Sequence, residues 1–384
     1  MKAKSVLLLS IACVLSAVPA QAEDLLITAS KVYTMDGPPL TPGAVLVSNG
    51  KIVKVGAKLV APAGAKVIDL GSGVLMPGFV DAYSQAGITG GVTETTREVT
   101  PGIRVVDSID WRARAFREAL DEGTTCLGLA PGTDNVFSGL ACAVKTAGGK
   151  RVVEPQTGLV IAMASDPASG NSARQRPDTI YNRQPTNRMG VVWLLRATFD
   201  KAVKQKTPEL ASISEGLEGK RKIFAVSRTD YDLLSLLRIA SEFKFTPTVI
   251  GGHEAYKVRA ELAAAKVPVI LGPLSSSSSL EGPESSEVIW NQPAVLQKAG
   301  IPFALSGGHL LEQARFANRY GLAADDALRA ITITPAKLLG LDSKVGTLSA
   351  GRDADMSAFD GDPFELTTSI KWVLLDGKIN AKGE

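Results

Sequence analysis

Few side chains in this sequence are suited to chemistry, and their spacing narrows the field further. Tyr83 and Gln85 stand two residues apart at the end of the stretch 73–85, GVLMPGFVDAYSQ. A spacing of two on an extended segment puts both on one face. A phenol and a carboxamide offer hydrogen bonds there but are poor ligands for a divalent metal. The chain has two histidines, His253 and His309. Each could act as a general base, or hold a weakly bound metal together with Asp81 or Glu254. Each is also suited to capping the helix that follows it or to standing in solvent. Arg228 and Glu254 are charged residues beside strand ends. They could bind a polar ligand or form ordinary ion pairs. Asp81 reads as a hydrogen-bonded structural carboxylate. Lys145, in the apolar stretch Ala141-Cys142-Ala143-Val144-Lys145, could point inward or be a strand-end surface lysine. The sequence contains no Gly-x-Ser-x-Gly elbow, no phosphate-binding Gly-Lys-(Ser/Thr) loop and no motif-supported Cys–His pair, so those mechanisms have no support.

The elements that must position these residues alternate between strand and helix patterns. Three apolar residues, the Pro77-Gly78 break and then Phe79-Val80-Asp81 predict a buried strand approached through a tight turn, with Tyr83 and Gln85 emerging at its carboxyl end. That end of the strands is where an α/β barrel keeps its chemistry. Strands are predicted at 74–81, 125–129, 159–164, 223–227, 246–250, 267–271 and 301–306, with an eighth expected between 165 and 222. Helical spacing marks 111–121, 231–243 and, less cleanly, 253–265, and a further helix begins at the acidic pair Asp325-Asp326. Residues 165–186 read as an excursion over the barrel mouth, and the serine run 275–279 as a second loop following a strand on that face, more simply a solvated surface loop.

Both ends of the chain carry short strands. Two β-runs flank Asn49-Gly50, a strong hairpin signal, and further strands near 345–348, 351–355 and 372–378 are separated by Gly-rich turns. Neither end suffices to close a core, so the two together are expected to build one β-sandwich.

These segments resemble the metal-dependent amidohydrolase superfamily. There the pattern Pro-Gly-Phe-(Val/Ile)-Asp-x, here Pro77 to Ala82, is followed by His-x-His. Residues 330–341 resemble the family's closing helix, and 346–355 its Gly-x-Leu-x-x-Gly-(Lys/Arg)-x-Ala-Asp turn. Residues 100–110, 130–140, 188–190 and 251–257 are similar to the exported imidazolonepropionase-like branch. The resemblance implies a (β/α)8 TIM-like barrel inserted in a composite β-sandwich. The implied divisions are a signal peptide at 1–22, sandwich halves at 23–75 and 342–384, and a barrel at 76–341.

It also implies hydrolysis of cyclic amides or other non-peptide C–N bonds by water bound to one or two divalent metals, typically zinc. In the family the ligands are His-x-His on the first strand, histidines on the fifth and sixth, and an aspartate at the end of the eighth. Carried over position by position, these fall on Tyr83, Gln85, Ala225, Gly251 and Gly307. No metal cofactor is therefore expected. Two functions follow: a hydrolase of the family's class with a rebuilt or metal-free site, or a catalytically inactive exported paralogue binding a small ligand or a partner subunit. The expected assemblies are a homo-oligomer, or a hetero-oligomer with an active relative.

Length and composition suit this reading. The 384 residues are 45% hydrophobic, enough for a barrel and a companion domain. Lys2 and Lys4, the apolar run 5–18 and Ala20-Gln21-Ala22 form a basic, apolar and cleavable leader that predicts a periplasmic or secreted protein starting at Glu23. Its apolar run is shorter than the roughly 20 residues a membrane span needs. Without Lys2 and Lys4 the 42 basic side chains fall to 40 against 39 acidic, which gives no reason to expect a nucleic-acid partner. Cys13 lies in the leader; Cys126 and Cys142, in apolar contexts, read as two buried thiols or as a disulfide.

Overall fold

The computed structural model describes residues 24–94, 96–163, 166–168, 184–274 and 289–381. The leader, most of the loop at 165–186 and the serine run at 275–279 lie outside the described residues. No helix of the described residues is long and apolar enough to cross a membrane.

Both chain ends build the sandwich. Strands β1 (Leu25–Ala29), β3 (Gly43–Ser48), β4 (Lys51–Gly56) and β5 (Lys66–Asp69) form one sheet in the order β4-β3-β1-β5. Asn49 and Gly50 join β3 to β4 with φ of 51° and 72°, the left-handed pair that a tight hairpin turn requires. The facing sheet mixes β2 (Lys31–Val32) and β6 (Val74–Pro77) with β15 (Met356–Phe359), β16 (Ile370–Leu375) and β17 (Lys378–Ala381), and β15 pairs directly with β6. Ile27, Val45, Leu75, Met356 and Leu374 fill the space between the sheets, so neither end has a core without the other.

The barrel is an eight-stranded sheet in sequence order: β7 (Phe79–Ser84), β8 (Thr124–Leu129), β9 (Phe137–Lys145), β10 (Val152–Ala162), β11 (Lys222–Ser227), β12 (Pro247–Gly251), β13 (Val269–Leu271) and β14 (Phe303–Leu305). Two expectations need correction. The predicted strand 74–81 is two strands in two different sheets, divided at Gly78, where a Cβ would lie 2.3 Å from Thr125. The eighth strand is β9, not a segment between 165 and 222, and it runs antiparallel to both β8 and β10. Its connections to them are short and carry no helix, so it can only turn back on its neighbours. The remaining strands pair in parallel.

Helices α1 (Arg114–Asp121), α2 (Arg188–Gln205), α3 (Ala211–Leu217), α4 (Asp230–Phe243), α5 (Arg259–Ala264), α6 (Gln292–Lys298), α7 (Leu310–Arg319), α8 (Ala324–Arg329) and α9 (Ile333–Leu339) complete the fold. The expected helix at 253–265 is shorter, because 253–258 form turns. Strand side chains alternate as the pleat demands. Val80, Cys126, Phe224, Val226, Ile250 and Ala304 share one cluster inside the barrel. Ile223, Ala225, Val249 and Leu305 share another with the helix residues Phe199 and Leu236.

No strand ladder closes the sheet between β7 and β14. Two backbone bonds to the loop before α9 bridge this seam: Val80 N–H donates to Ile331 at 2.9 Å and Leu305 N–H to Ala330 at 2.9 Å. The Asp81 carboxylate adds a direct clasp, described below.

Lys145 is not a surface residue. It ends β9 with 4% of its surface exposed, and its ammonium pairs with Asp353 at 2.9 Å, Asp355 at 3.2 Å and Asp376. These carboxylates hold its pKa above the usual lysine value against the opposing effect of burial. Cys126 and Cys142 are both free and buried. Cys126 belongs to the barrel interior and Cys142 to the cluster beneath α1, on the other face of the sheet.

Candidate active site at the barrel mouth

The carboxyl ends of the strands surround a cavity of about 850 Å³. Its floor is largely backbone, supplied by Gly251, Gly272, Gly307 and Gly308. Gly251, Gly307 and Gly308 adopt φ of 95°, 92° and 80°, a region L-residues rarely occupy.

Asp81 is 2% exposed at the edge of this floor. Gly307 N–H donates to both of its oxygens, at 3.2 and 3.1 Å, Gly308 N–H donates at 3.0 Å, and Tyr83 N–H donates from its own strand at 3.1 Å. Two of these donors belong to the end of β14, so the carboxylate holds the first and last strands together. Burial pushes its pKa up to about 6, against the lowering effect of the N–H donors.

Tyr83 and Gln85 both line the cavity, as their spacing requires. Burial raises the Tyr83 phenol above its usual pKa, with Arg228 opposing and Asp166 and Asp134 reinforcing the rise, so the hydroxyl stays protonated near neutrality. Arg228 also lines the cavity and is clamped by Asp166 through two bonds of 2.6 and 2.7 Å, while Thr133 also donates to Asp166. The His253 ring lies over the glycine floor: a Cβ on Gly272 would lie 3.6 Å from its Nε2, and one on Gly251 3.9 Å from its Cε1. His309 stands on the rim in a left-handed conformation, with Nδ1 2.9 Å from Glu122 Oε1 and its main-chain N–H donating to Glu122 Oε2 at 3.2 Å.

Two expected positions differ. Ala225 is turned away from the cavity, because the alternation along β11 sends Ile223 and Ala225 to the helices and Val226 and Arg228 to the mouth. The fifth-strand position facing the cavity is thus Val226. Glu254 is absent from the cavity lining; it accepts the Asp230 N–H that opens α4 at 3.0 Å and pairs with Lys257 at 2.8 Å. Sequence reasoning did not find Glu122, Thr133 or Asp166. Nothing in their local sequence connects them to His309 or Arg228.

Comparison with known proteins gives a consistent family. An Amidohydrolase family model matches residues 297–381. The amidohydrolase tasK of Hapsidospora irregularis is 24% identical over 396 residues, covering 87% of this chain but 39% of tasK, so the chain spans well under half of that relative. An imidazolonepropionase from Sphingopyxis alaskensis is 40% identical over 55 residues, 14% of each protein. Among solved structures, an amidohydrolase from Thermotoga maritima superposes with a TM-score of 0.83 at 29% identity, covering 92% of this chain and 99% of that one. A prolidase complexed with N-methylphosphonate-L-proline shares the fold at 14% identity, with a TM-score of 0.60 over 93% of this chain and 99% of its own.

Proposed function

We infer, for a chain that belongs to the amidohydrolase superfamily, that the barrel mouth binds a small neutral amide-like molecule without a resident divalent ion. The observation that carries this reading is the commitment of Asp81. Both of its oxygens accept backbone N–H groups from Gly307 and Gly308, at the strand end where the superfamily places an aspartate ligand.

The remaining donor set does not fit a divalent metal. Such a site needs three or more nitrogen, sulfur or carboxylate donors converging at about 2.0–2.3 Å. Among the described residues no three His, Cys, Asp or Glu side chains are grouped to hold one. Tyr83, Gln85, Val226, Gly251 and Gly307 occupy the inward positions. Water with a pKa near 15.7 then has no cation to make it a hydroxide at neutral pH, and the superfamily's usual hydrolytic step loses its nucleophile.

What the cavity offers instead is hydrogen bonding. The Tyr83 hydroxyl and the Gln85 carboxamide have no hydrogen-bond partner among the described residues, and the Arg228–Asp166 pair beside them is neutral overall. A phenol donor and an amide that both donates and accepts complement a ligand amide. A volume of about 850 Å³ suits a small molecule.

Calorimetric titration with hydantoin, a cyclic imide, tests this reading on protein whose metal content is measured in the same sample. Binding without metal, weakened at least fivefold by Tyr83→Phe or Gln85→Ala, is the expected result. Binding that appears only when zinc is added overturns it. A second reading, hydrolysis of non-peptide C–N bonds, draws on the presence of His253 and His309 at one cavity. Ring-opened product accumulating from hydantoin in metal-free protein would favour that alternative.

A further inference from the structure

We propose that Glu122 and His309 form a carboxylate–imidazole dyad on the cavity rim that acts as a metal-independent general base, hydrolysing small activated carboxylic esters. The proposal rests on the reading of this cavity as the ligand site and adds a chemical step to it.

The dyad is built from elements far apart in sequence. Glu122 caps the end of α1, and His309 immediately precedes α7. Glu122 Oε1 lies 2.9 Å from His309 Nδ1 as an ion-pair contact, and Glu122 Oε2 accepts the His309 main-chain N–H at 3.2 Å. This two-point hold fixes both the backbone and the ring of His309. A carboxylate facing Nδ1 requires the proton there, which leaves the neutral ring's lone pair on Nε2. Nε2 has no hydrogen-bond partner among the described residues, and the side chain is 68% exposed.

Two features of the dyad work against stability. His309 has φ 45° and ψ 41°, a left-handed conformation that brings Cβ too close to the following carbonyl oxygen in an L-residue. Glu122 places a carboxylate at the C-terminal end of α1, where the helix dipole disfavours negative charge. Strained groups that the surrounding structure holds in place are characteristic of functional sites. Both residues line the same cavity as Tyr83, whose protonated phenol is available to a substrate carbonyl oxygen.

The step balances without a metal. A water O–H bond breaks, its proton passes to His309 Nε2, and the water oxygen forms a bond to the ester carbonyl carbon as the C=O π pair moves onto oxygen. Collapse of the adduct breaks the bond to the leaving oxygen, which departs as an alkoxide or phenoxide with the bonding pair. The imidazolium then returns its proton to solvent. Glu122 touches no reacting atom and is a positioning residue.

With only His253 and His309 in the sequence, long-range 1H–15N correlation spectra can read each ring. The expected result is an Nδ1–H tautomer for His309 that is lost in Glu122→Gln. Steady-state hydrolysis of 4-nitrophenyl acetate should fall at least tenfold in Glu122→Gln and in His309→Asn, asparagine being chosen because it tolerates the left-handed backbone. An Nε2–H tautomer in the unmodified protein, no measurable hydrolysis by it, or rates unchanged in both variants overturns the proposal. Ester hydrolysis that survives a failure to bind hydantoin removes only the amide-ligand reading, and the converse removes only the dyad.

Discussion

Replacing Asp81 with alanine tests how the barrel is closed. The substitution removes the acceptor for Gly307 and Gly308 N–H across the seam and for Tyr83 N–H beside it. Leaving two cross-seam donors unpaired at about 1 kcal/mol each, with water entering from the cavity, predicts a loss of about 2–3 kcal/mol near pH 5. The carboxylate also carries a charge it holds reluctantly. Its folded pKa is about 6 against an unsubstituted value of 3.8. Between those values the folded state keeps a proton the unfolded chain has released. Stability from this group is therefore fully present below about pH 4 and is lost as pH rises through 6. At about 1.4 kcal/mol per pKa unit the whole shift corresponds to about 3 kcal/mol, of which about 1.3 falls between pH 5 and pH 7. Asp81→Ala should thus be less destabilising at pH 7 than at pH 5 by about 1.3 kcal/mol. Urea titrations of both proteins at the two pH values, followed by circular dichroism, read this directly. A penalty below about 0.5 kcal/mol at pH 5, or the same penalty at both pH values, refutes the clasp.

Two further outcomes follow from the fold and a third from the reading of the amino-terminal sequence as a leader. Lys145→Met leaves Asp353, Asp355 and Asp376 facing one another at the junction of barrel and sandwich. Urea unfolding should show a loss of about 3–5 kcal/mol, the range for breaking a buried ion pair from one side, and a loss under 1 kcal/mol would contradict the burial assigned to it. Burial pushes the Cys126 and Cys142 thiols up to about 12. Neither should react with a disulfide reagent in the native protein and both should react after denaturation, whereas a disulfide would leave them silent in both states. Amino-terminal sequencing of protein recovered outside the cytoplasm should begin at Glu23, and recovery there with Met1 intact would remove the leader reading.

The parts of the fold read most directly from sequence are those set by local chemistry. Asn49-Gly50 dictates its hairpin, and the paired strand sets at the two ends imply a shared sandwich because neither has a core alone. The β9 strand departs from the sequence expectation because a (β/α)8 pattern places a helix after every strand, whereas residues 137–145 are joined to their neighbours by hairpins. Ala225 faces the helices and not the mouth, a difference that composition does not reveal because it identifies a strand without fixing its register, and a shift of one residue exchanges the two faces. Lys145 lies among apolar residues in sequence, but the carboxylates that permit its burial come from 353–376. Single residues of the candidate site are legible in the sequence, Tyr83 and Gln85 two apart on the first strand and Arg228, His253 and His309 beside later strand ends, but the contacts among them are not. The Glu122–His309 contact joins residues 187 apart and Arg228–Asp166 residues 62 apart. Neither separation leaves a trace in a linear pattern.

Whether the barrel mouth works without a resident cation is decided most directly by elemental analysis of the protein, purified without chelator and compared with protein dialysed against zinc, iron and manganese. Far less than one ion per chain in both samples is the expected result, since Asp81 is held by backbone N–H groups and the other inward positions carry phenol, carboxamide, valine or glycine. One tightly retained ion per chain, surviving dialysis into metal-free buffer, would contradict it.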